Sequence, residues 1–257
     1  MIILFTKKNL ASANIARALI DGHGFDGQGE GVWRNGDLLL KETDAPTVLE
    51  VPTDFDTDCL LVLSTHRSKN PGRALTAHVP GNWGDAQMGG EPRTLNTAPA
   101  SRLKILIQEL KKEADAIGWT ASLEADHHGP TCQVPIMFVE IGNGEAEWTD
   151  GKAAEAVAEA VMASAKRNER FDTVFGVGGG HYPRHFSKLA IESETAVGHM
   201  APKYVIDSLD EEMFSQAIRK NVEKVSRVLV VKDETSAPHR EKIKDLAGRF
   251  AIEVEIA

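Results

Sequence analysis

The stretch FDTVFGVGGGHYPRHFSK, residues 171–188, decides the fold class of this chain. An apolar, strand-like run enters three consecutive glycines, Gly178, Gly179 and Gly180, and the chain then leaves them toward a helix start. Glycines at such a turn allow a sharp bend and leave N–H groups open toward a ligand, while a helix N-terminus adds partial positive charge. The pattern is typical of an α/β protein with a site for anionic groups, although a tight turn with surface histidines is the simpler interpretation.

Two histidines follow the glycines. His181 and His185 are four residues apart, so a continuous helix would place both imidazoles on one face. Pro183 favours a first helical turn that begins near His181. We therefore treat both histidines as candidates for binding or catalysis.

On both sides of this stretch, apolar strand-like runs alternate with segments of helical periodicity. We predict strands over 2–5, 47–51, 59–64, 134–141, 173–177, 195–199, 227–231 and 252–256. We predict helices over 9–20, 101–117, 152–167, 210–220 and 238–250. This alternation indicates the α/β class.

The chain is expected to form a single domain over residues 1–257, with a small hairpin insert near 22–41. Residues 65–100 are rich in Gly, Pro, Asn and Thr and show little periodicity. We interpret them as one long functional loop, because long irregular connections in compact domains are usually functional. The loop starts where an apolar strand ends, and open α/β sheets bind ligands at that edge.

Composition excludes several classes of protein. The chain is 42% hydrophobic and 26% charged, which is ordinary for a globular protein, and its net charge of −9 argues against indiscriminate nucleic-acid binding. The opening MIILFTKKNL has only a short apolar run before two lysines, so we expect a first strand, no signal peptide or membrane span, and a cytoplasmic location. We also expect a monomer. The two cysteines, Cys59 and Cys132, cannot form a disulfide framework, and Cys132 is a minor candidate ligand.

Basic residues crowd the segment after residue 66, and a local basic face is one interpretation of them, solvated helix charges being the other. They are Arg67, Lys69, Arg73, Arg93, Arg102, Lys104, Lys111 and Lys112.

Histidines at predicted strand ends are the second strong signal, and Glu140 lies within an otherwise apolar run. The histidines are His66, His127, His128, His181 and His199. Imidazoles with a carboxylate form the ligand set that zinc takes in catalytic centres, although a single strand-end histidine is more often structural. Because neighbours in an extended strand point to opposite faces, we expect only one of His127 and His128 to face the site.

Charged residues near these histidines have possible supporting roles. Arg67 and Lys203 could bind phosphate or polarise a carbonyl, and Glu140 or Asp126 could accept a proton or orient a histidine. Serine-hydrolase elbow, P-loop, H-E-x-x-H and C-x-x-C patterns do not occur in the sequence. What remains is hydrolysis or group transfer at a polar site at the strand ends.

Six segments together resemble the archaeal and plant type of D-aminoacyl-tRNA deacylase: IILFTKKNLASANIA, LVLSTHRSKNPGRALTAHVPGNW, EADHHGP, VPIMFVEIG, FGVGGGHYPRHF and GHMAPKYV. The resemblance covers nearly the whole chain. It implies an α/β fold of three αβα layers with a mixed central sheet, related to nucleoside phosphorylases and peptidyl-tRNA hydrolases. It also implies a zinc-dependent hydrolase that cleaves the ester between a D-amino acid and the terminal ribose of tRNA, in translation quality control.

On this resemblance we expect zinc as cofactor and the acceptor end of D-aminoacyl-tRNA as partner. The expected metal ligands come from His66, His127, His128, Glu140, His181 and His199. The expected catalytic residues are His66, Glu140, His181 and His199. The expected substrate contacts are Arg67, Ser68, Gly178, Gly179, Gly180, His185 and Lys203.

Two other functions stay open on the sequence. One is a zinc-dependent hydrolase of related fold that acts on a peptide or amide. The other is a module that binds a nucleotide or the end of a tRNA without turnover. Ester hydrolysis without peptide hydrolysis would distinguish the deacylase from both.

Overall fold

The structure is a computed structural model that describes residues 1–52, 55–68 and 72–257. Its strands are β1 (Ile2–Phe5), β2 (Asp26–Gly29), β3 (Val32–Asn35), β4 (Leu38–Glu42), β5 (Leu60–Thr65), β6 (Ala74–His78), β7 (Gly81–Asn82), β8 (Thr94–Leu95), β9 (Thr120–Leu123), β10 (Ile136–Gly142), β11 (Asp172–Val177), β12 (Thr195–Ala201), β13 (Val225–Val230) and β14 (Glu253–Ile256). Its α-helices are α1 (Leu10–Gly22), α2 (Ala100–Ala116), α3 (Glu145–Trp148), α4 (Gly151–Ala165), α5 (Arg184–Glu192), α6 (Glu211–Arg219) and α7 (Ala237–Arg249), and 3-10 helices cover Lys203–Ser208 and Lys232–Glu234.

The large sheet is mixed, with strand order β2-β3-β4-β1-β5-β10-β6-β9. Its centre is parallel, because β4, β1, β5 and β10 pair in one direction, whereas β6 runs antiparallel to β10. Strands β5 and β10 are apolar along nearly their whole length because the sheet is covered on both faces. The expected α/β class with a mixed central sheet is therefore confirmed.

A second sheet has four parallel strands in the order β12-β11-β13-β14. The sequence pattern predicted these strands but did not separate them from the first sheet. The largest apolar cluster joins the two sheets, because it includes Leu61 of β5, Leu103 of α2, Val157 of α4 and Val197 of β12. The site described below is thus held between two sheets that share a core.

Two sequence predictions were wrong at the level of single elements. Residues 47–51 form no strand, and turn hydrogen bonds from Leu49 and Glu50 to the Pro46 carbonyl replace it. The loop predicted over residues 65–100 contains β6, which is inserted in the large sheet between β10 and β9. Residues 69–71 of that loop lie outside the described residues. The hairpin near 22–41 is formed by β2 and β3, and β4 then joins β1.

No helix within the described ranges combines the length and apolar character that a membrane span needs.

Candidate active site

The candidate site lies at the carboxyl end of β5 and β10. Glu140 is paired in register with Ser64 on β5 and with Thr76 on β6, so polar side chains face one another across three strands. His66 follows β5 directly, and its backbone N–H donates to the Ile141 carbonyl at 2.9 Å. Ligands of open α/β sheets bind at this edge.

His66 is 3% exposed and is held at both ring nitrogens. Its Nδ1 lies 3.2 Å from Oε1 of Glu124 and 3.5 Å from Oε2 of Glu140, and its Nε2 lies 2.5 Å from the Tyr182 hydroxyl. Burial alone would lower the pKa of His66, but the hydrogen bonds to Glu124 and Glu140 outweigh burial and raise the pKa to about 11. The imidazole is therefore a fixed partner of two carboxylates.

Gly142 makes room for this ring. A Cβ atom at residue 142 would lie 2.7 Å from Cδ2 of His66, closer than van der Waals contact allows. The end of β10 thus has to lack a side chain where the His66 ring packs against it.

Glu124 is the centre of the cluster, and the sequence analysis missed it. It follows β9, is fully buried, and accepts a hydrogen bond from Nε2 of His181 at 2.7 Å. Its Oε2 is also 3.7 Å from Nε2 of His127. Burial opposes ionisation, but the contacts with His181 and His66 hold the pKa of Glu124 well below its usual range.

Glu140 is also buried, and its environment differs. Burial and the neighbouring charge of Glu124 raise the pKa of Glu140 to about 7, with the contact to His66 acting in the opposite direction. Two carboxylates within reach of one imidazole thus have pKa values on opposite sides of the ordinary value.

Three further imidazoles, those of His78, His127 and His128, lie against this group, and each offers a ring nitrogen within 4.8 Å of the other two. Nδ1 of His127 and Nδ1 of His128 face the carbonyls of Ala125 and Gly129, which directs both Nε2 atoms inward. Burial lowers the pKa of all three imidazoles, that of His127 to about 3. The neutral imidazole is the form that binds metal ions.

The expectation that only one of His127 and His128 would face the site was wrong. Strand β9 ends at Leu123, and His128 has a positive φ of 45°, so the alternation of an extended strand no longer applies. Both side chains consequently turn to the same side.

The glycine turn places His181 over Glu124. Gly178 and Gly179 have φ values of 126° and 79°, which favour glycine, and the His181 carbonyl accepts from the Ala125 N–H at 2.9 Å. The N–H of Gly178 donates to Ala201, so it is not an open donor, whereas Gly179 and Gly180 stay predicted donors. Helix α5 begins at Arg184, so His181 lies outside it. The prediction that His181 and His185 share one helical face was therefore wrong.

His199 is not brought into the cluster. It is fully buried, its Nδ1 contacts Asp126, and its Nε2 lies 2.8 Å from the Lys220 carbonyl, so both ring nitrogens have protein partners. Asp126 also accepts from the Met200 N–H at 2.8 Å. The carboxylate of Asp126 does orient a histidine, as expected, but the pair ties the loop after β9 to β12. His199 also belongs to none of the groups of described residues whose ligand atoms lie within 4.8 Å of one another, so we correct its assignment as metal ligand and catalyst.

The basic residues of the predicted basic face are mostly engaged elsewhere. Arg67 lies over the Trp148 ring at 5.0 Å, and Arg93 pairs with Asp210 at 2.6 Å. Lys104 is 1% exposed, so its assignment to a surface face was wrong. Lys69 lies outside the described residues. Ser68 lies in a cavity beside His66, and Lys203 donates its backbone N–H to Gly179.

Two cavities reach the cluster at different residues, one at His66 and the other at His127 and His128. The first, of 640 Å³, includes His66, Tyr182, Lys111, Arg184 and Lys188 in its lining, and we call it the basic cavity. The second, of 280 Å³, includes His127, His128, Trp83, Asp85, Met88, Asp126 and Tyr204, and we call it the aromatic cavity. A substrate that spans both cavities would pass over the cluster.

The donor set fits a metal ion. His78 Nδ1 is buried without a hydrogen-bond partner, although buried polar atoms are normally paired, and it lies 3.9 Å from Oε1 of Glu124. Among the described residues, three groups place their ligand atoms within 4.8 Å of one another: His78, His127 and His128; Glu124, His127 and His181; and His66, Glu124 and Glu140. Backbone carbonyls on the second nitrogens of His127 and His128 are the usual support of metal-bound histidines.

Several features of the site could not be read from single positions in the sequence. Glu124, His78 and Tyr182 were not assigned roles, although Glu124 directly follows a short β-type run and precedes the pair His127 and His128. A carboxylate one residue beyond a strand, near two histidines, is the signal that could have identified it.

Fold and site together define an α/β protein with a buried imidazole–carboxylate centre between two cavities. A family model described as D-aminoacyl-tRNA deacylase matches residues 53–255. The chain is 33% identical to the D-aminoacyl-tRNA deacylase of Pyrococcus furiosus over 266 residues, which cover 98% of each chain. It is 33% identical to that of Thermococcus kodakarensis, with the same coverage. The chain belongs to the D-aminoacyl-tRNA deacylase family.

A solved crystal structure described as a conserved protein of unknown function has the same fold. It aligns with a TM-score of 0.91, at 24% identity, over 99% of this chain and 94% of that chain.

Proposed function

We propose that this protein hydrolyses the ester of D-aminoacyl-tRNA, releasing the D-amino acid and the tRNA, as a proofreading step of translation. The observation that supports this most is the cluster around Glu124, open to two cavities, in a chain of the deacylase family. A cytoplasmic location is part of the proposal and follows from the substrate. The shared core of the two sheets supports residues 1–257 acting as one unit.

We also propose zinc as the cofactor. His66, Glu124 and Glu140 would hold it on the side of the basic cavity once the His66 imidazole has lost its proton, and His78, His127 and His128 offer a second group of ligands beside the aromatic cavity. When bound, zinc supplies Lewis acidity toward an ester carbonyl and lowers the pKa of water.

The residues of the chain position the groups that meet the substrate. Glu124 is fully buried, while the side chains of His181 and His127 are 34% and 25% exposed, so imidazoles and not the carboxylate reach the substrate. Glu124 fixes the ring of His181 through Nε2. The ribose oxygen is the leaving group of the ester, and His181 is our proposed proton donor to it.

Substrate contacts are proposed for residues around the cluster. Ser68 lies in the basic cavity beside His66. The N–H groups of Gly179 and Gly180 would stabilise a developing oxyanion. Arg67, His185 and Lys203 are proposed to contact ribose or phosphate, which is consistent with the exposure of Arg67 and Lys203.

The test is a deacylation assay on D- and L-aminoacyl-tRNA, with and without a chelator, together with elemental analysis. We expect bound zinc, turnover of the D-substrate, and loss of turnover on chelation with the far-UV circular dichroism spectrum retained. The α/β core is complete without a metal, unlike that of a small zinc-folded domain. Fully active protein without metal would overturn the zinc proposal.

A matched set of variants tests the location of the site. His66→Ala and His181→Ala should each lose about 100-fold or more in rate, as expected for a group that acts directly in the reaction. His23→Ala and His239→Ala should keep the rate, because these histidines pair with Glu159 and Asp207 outside the cluster. Hydrolysis of a peptide in place of the ester would favour the amide-hydrolase function instead.

A further inference from the structure

The two cavities that flank the cluster differ in charge. The basic cavity is lined by Lys111, Arg184 and Lys188, with Glu192 as its carboxylate. Arg184 is exposed, and no acidic partner lies within ion-pair distance of it in the described part of the chain. The side chain of Lys188 is 74% exposed and 3.9 Å from Glu192, a separation that leaves the ammonium largely in solvent. Lys111 pairs with Asp115, so Arg184 and Lys188 are the cations positioned to receive an anion.

The aromatic cavity has the opposite character. Its charged lining residues are Asp85 and Asp126, and no lysine or arginine lines it. Met88 and Tyr204, which are 58% and 61% exposed, are the most exposed large apolar side chains of the described residues. Both lie at this cavity, beside the buried ring of Trp83. Exposed apolar groups gathered at a cavity commonly mark a binding site.

Resting on the proposed function, we infer that the site binds its substrate in one orientation, with the RNA backbone in the basic cavity and the aminoacyl group in the aromatic cavity. The RNA end carries phosphates, and the aminoacyl end carries an α-ammonium group and a side chain. Cations therefore meet phosphates, and the exposed Asp85 favours the ammonium. The ester between the two ends then lies over His66, His181 and His127.

Cavity size agrees with this orientation. The basic cavity of 640 Å³ lies within the range of about 300–1,000 Å³ that accommodates small-molecule ligands such as a nucleoside. The aromatic cavity of 280 Å³ lies just below that range and suits an amino-acid side chain. Tyr204 is the residue that we assign to contact with that side chain.

The opposite orientation would stack the terminal adenine on Tyr204 and place the amino acid beside Arg184. It would bring phosphates toward Asp85 and the α-ammonium toward Arg184 and Lys188, so electrostatics disfavour it.

The experiment compares two cavity variants on two substrates. Arg184→Ala combined with Lys188→Ala should raise the KM for D-aminoacyl-tRNA and leave that for a short D-aminoacyl-adenosine unchanged. For two lost phosphate contacts on single-stranded RNA, the slope of log affinity against log salt should fall by about 1.4. Arg17→Ala with Lys152→Ala is the control of matched charge, because these residues line a cavity between α1 and α4 that contains no cluster residue.

Tyr204→Ala should leave the salt slope unchanged and act on side-chain preference. The ratio of kcat/KM for D-tyrosyl-tRNA over D-alanyl-tRNA should fall about 2- to 10-fold, the range of a lost aromatic contact. If Tyr204→Ala instead changed the salt slope and the double variant changed the side-chain preference, the inferred orientation would be wrong. The proposed function would still stand. If neither variant changed the salt slope or the side-chain preference, the inferred orientation would also be wrong. A wild-type protein without turnover on D-aminoacyl-tRNA would overturn the proposed function and this inference together.

Discussion

The hydroxyl of Tyr182 lies 2.5 Å from Nε2 of His66, on the side of the ring opposite the two carboxylates. His66 is therefore fixed from both ends, by Glu124 and Glu140 at Nδ1 and by a phenol at Nε2. A ring held in this way has little freedom to rotate, and orientation of this kind contributes to catalysis.

Tyr182→Phe should reduce kcat/KM for D-aminoacyl-tRNA about tenfold or more while zinc is retained. The variant keeps the ring that lines the basic cavity and removes only the contact to His66, and hydrogen bonds to charged groups contribute about 1.5–3 kcal/mol. Steady-state kinetics with elemental analysis measures both effects. Wild-type kinetics in the variant would show that the hydroxyl does not position His66.

Glu124→Gln should remove most of the bound zinc and lower the rate about 100-fold or more. The substituted amide has the shape of the carboxylate but places an N–H group among imidazoles that require an acceptor. Glu109→Gln is the matched control, because Glu109 pairs with Arg167 on the surface of α2. Equal zinc content in both variants would contradict a central role for Glu124.

His199→Gln should lower the free energy of unfolding by about 1–3 kcal/mol, since it leaves the buried carboxylate of Asp126 without its imidazole partner. Zinc content should not change. Urea unfolding and elemental analysis provide the two measurements. Loss of zinc at unchanged stability would restore His199 to the ligand set.

Lys104→Met should lower the free energy of unfolding by about 2–5 kcal/mol, because one buried and one half-buried carbonyl would each lose a donor. The ammonium donates to the Ala190 carbonyl at 2.6 Å and also to that of Ser193, which connects α2 to the end of α5. Lys112→Met is the control on the same helix, since the Lys112 side chain is 71% exposed. Similar urea midpoints for both variants would contradict this assignment.

The same residue predicts a pH dependence. Burial lowers the pKa of Lys104 below 10.5, so the unfolded chain binds this proton more tightly than the folded protein does. Stability of the wild type relative to Lys104→Met should therefore increase as pH rises through the window that ends near 10.5. Urea unfolding of both proteins across that window tests the sign, and a constant difference would show that burial does not affect this proton.

The central strands could be predicted because burial on both faces produces continuous apolar runs. Strands β5 and β10 carry LLVLST and IMFVEIG, and Glu140 is conspicuous in the second. Strand β6, ALTAH, has no such run, because its neighbours β10 and β9 and not its own composition determine its place. Local periodicity contains no information on such long-range pairing.

The site was predictable to the same extent. His66, Glu140 and His181 follow or end elements that the sequence marks, so their approach to one another could be expected. Glu124 and His78 enter the cluster only through the pairing of β6 with β9, which no local pattern indicates. For Lys104 the sequence led to the opposite mistake, since a charged residue of an amphipathic helix is normally exposed. Here the ammonium is buried, because carbonyls at the end of α5 accept its hydrogen bonds.

Gly142 contributes to the cluster because it has no side chain where the His66 ring packs. The notch that it leaves in β10 admits the His66 ring, so even one added methyl group there would compete with the imidazole for the same volume. A substitution that changes no charge, ligand or hydrogen-bonding group would therefore lower activity by displacing the histidine that follows the adjacent strand. A screen of variants for lost activity should therefore include residue 142 together with the histidines and carboxylates, although glycine has no functional group in its side chain.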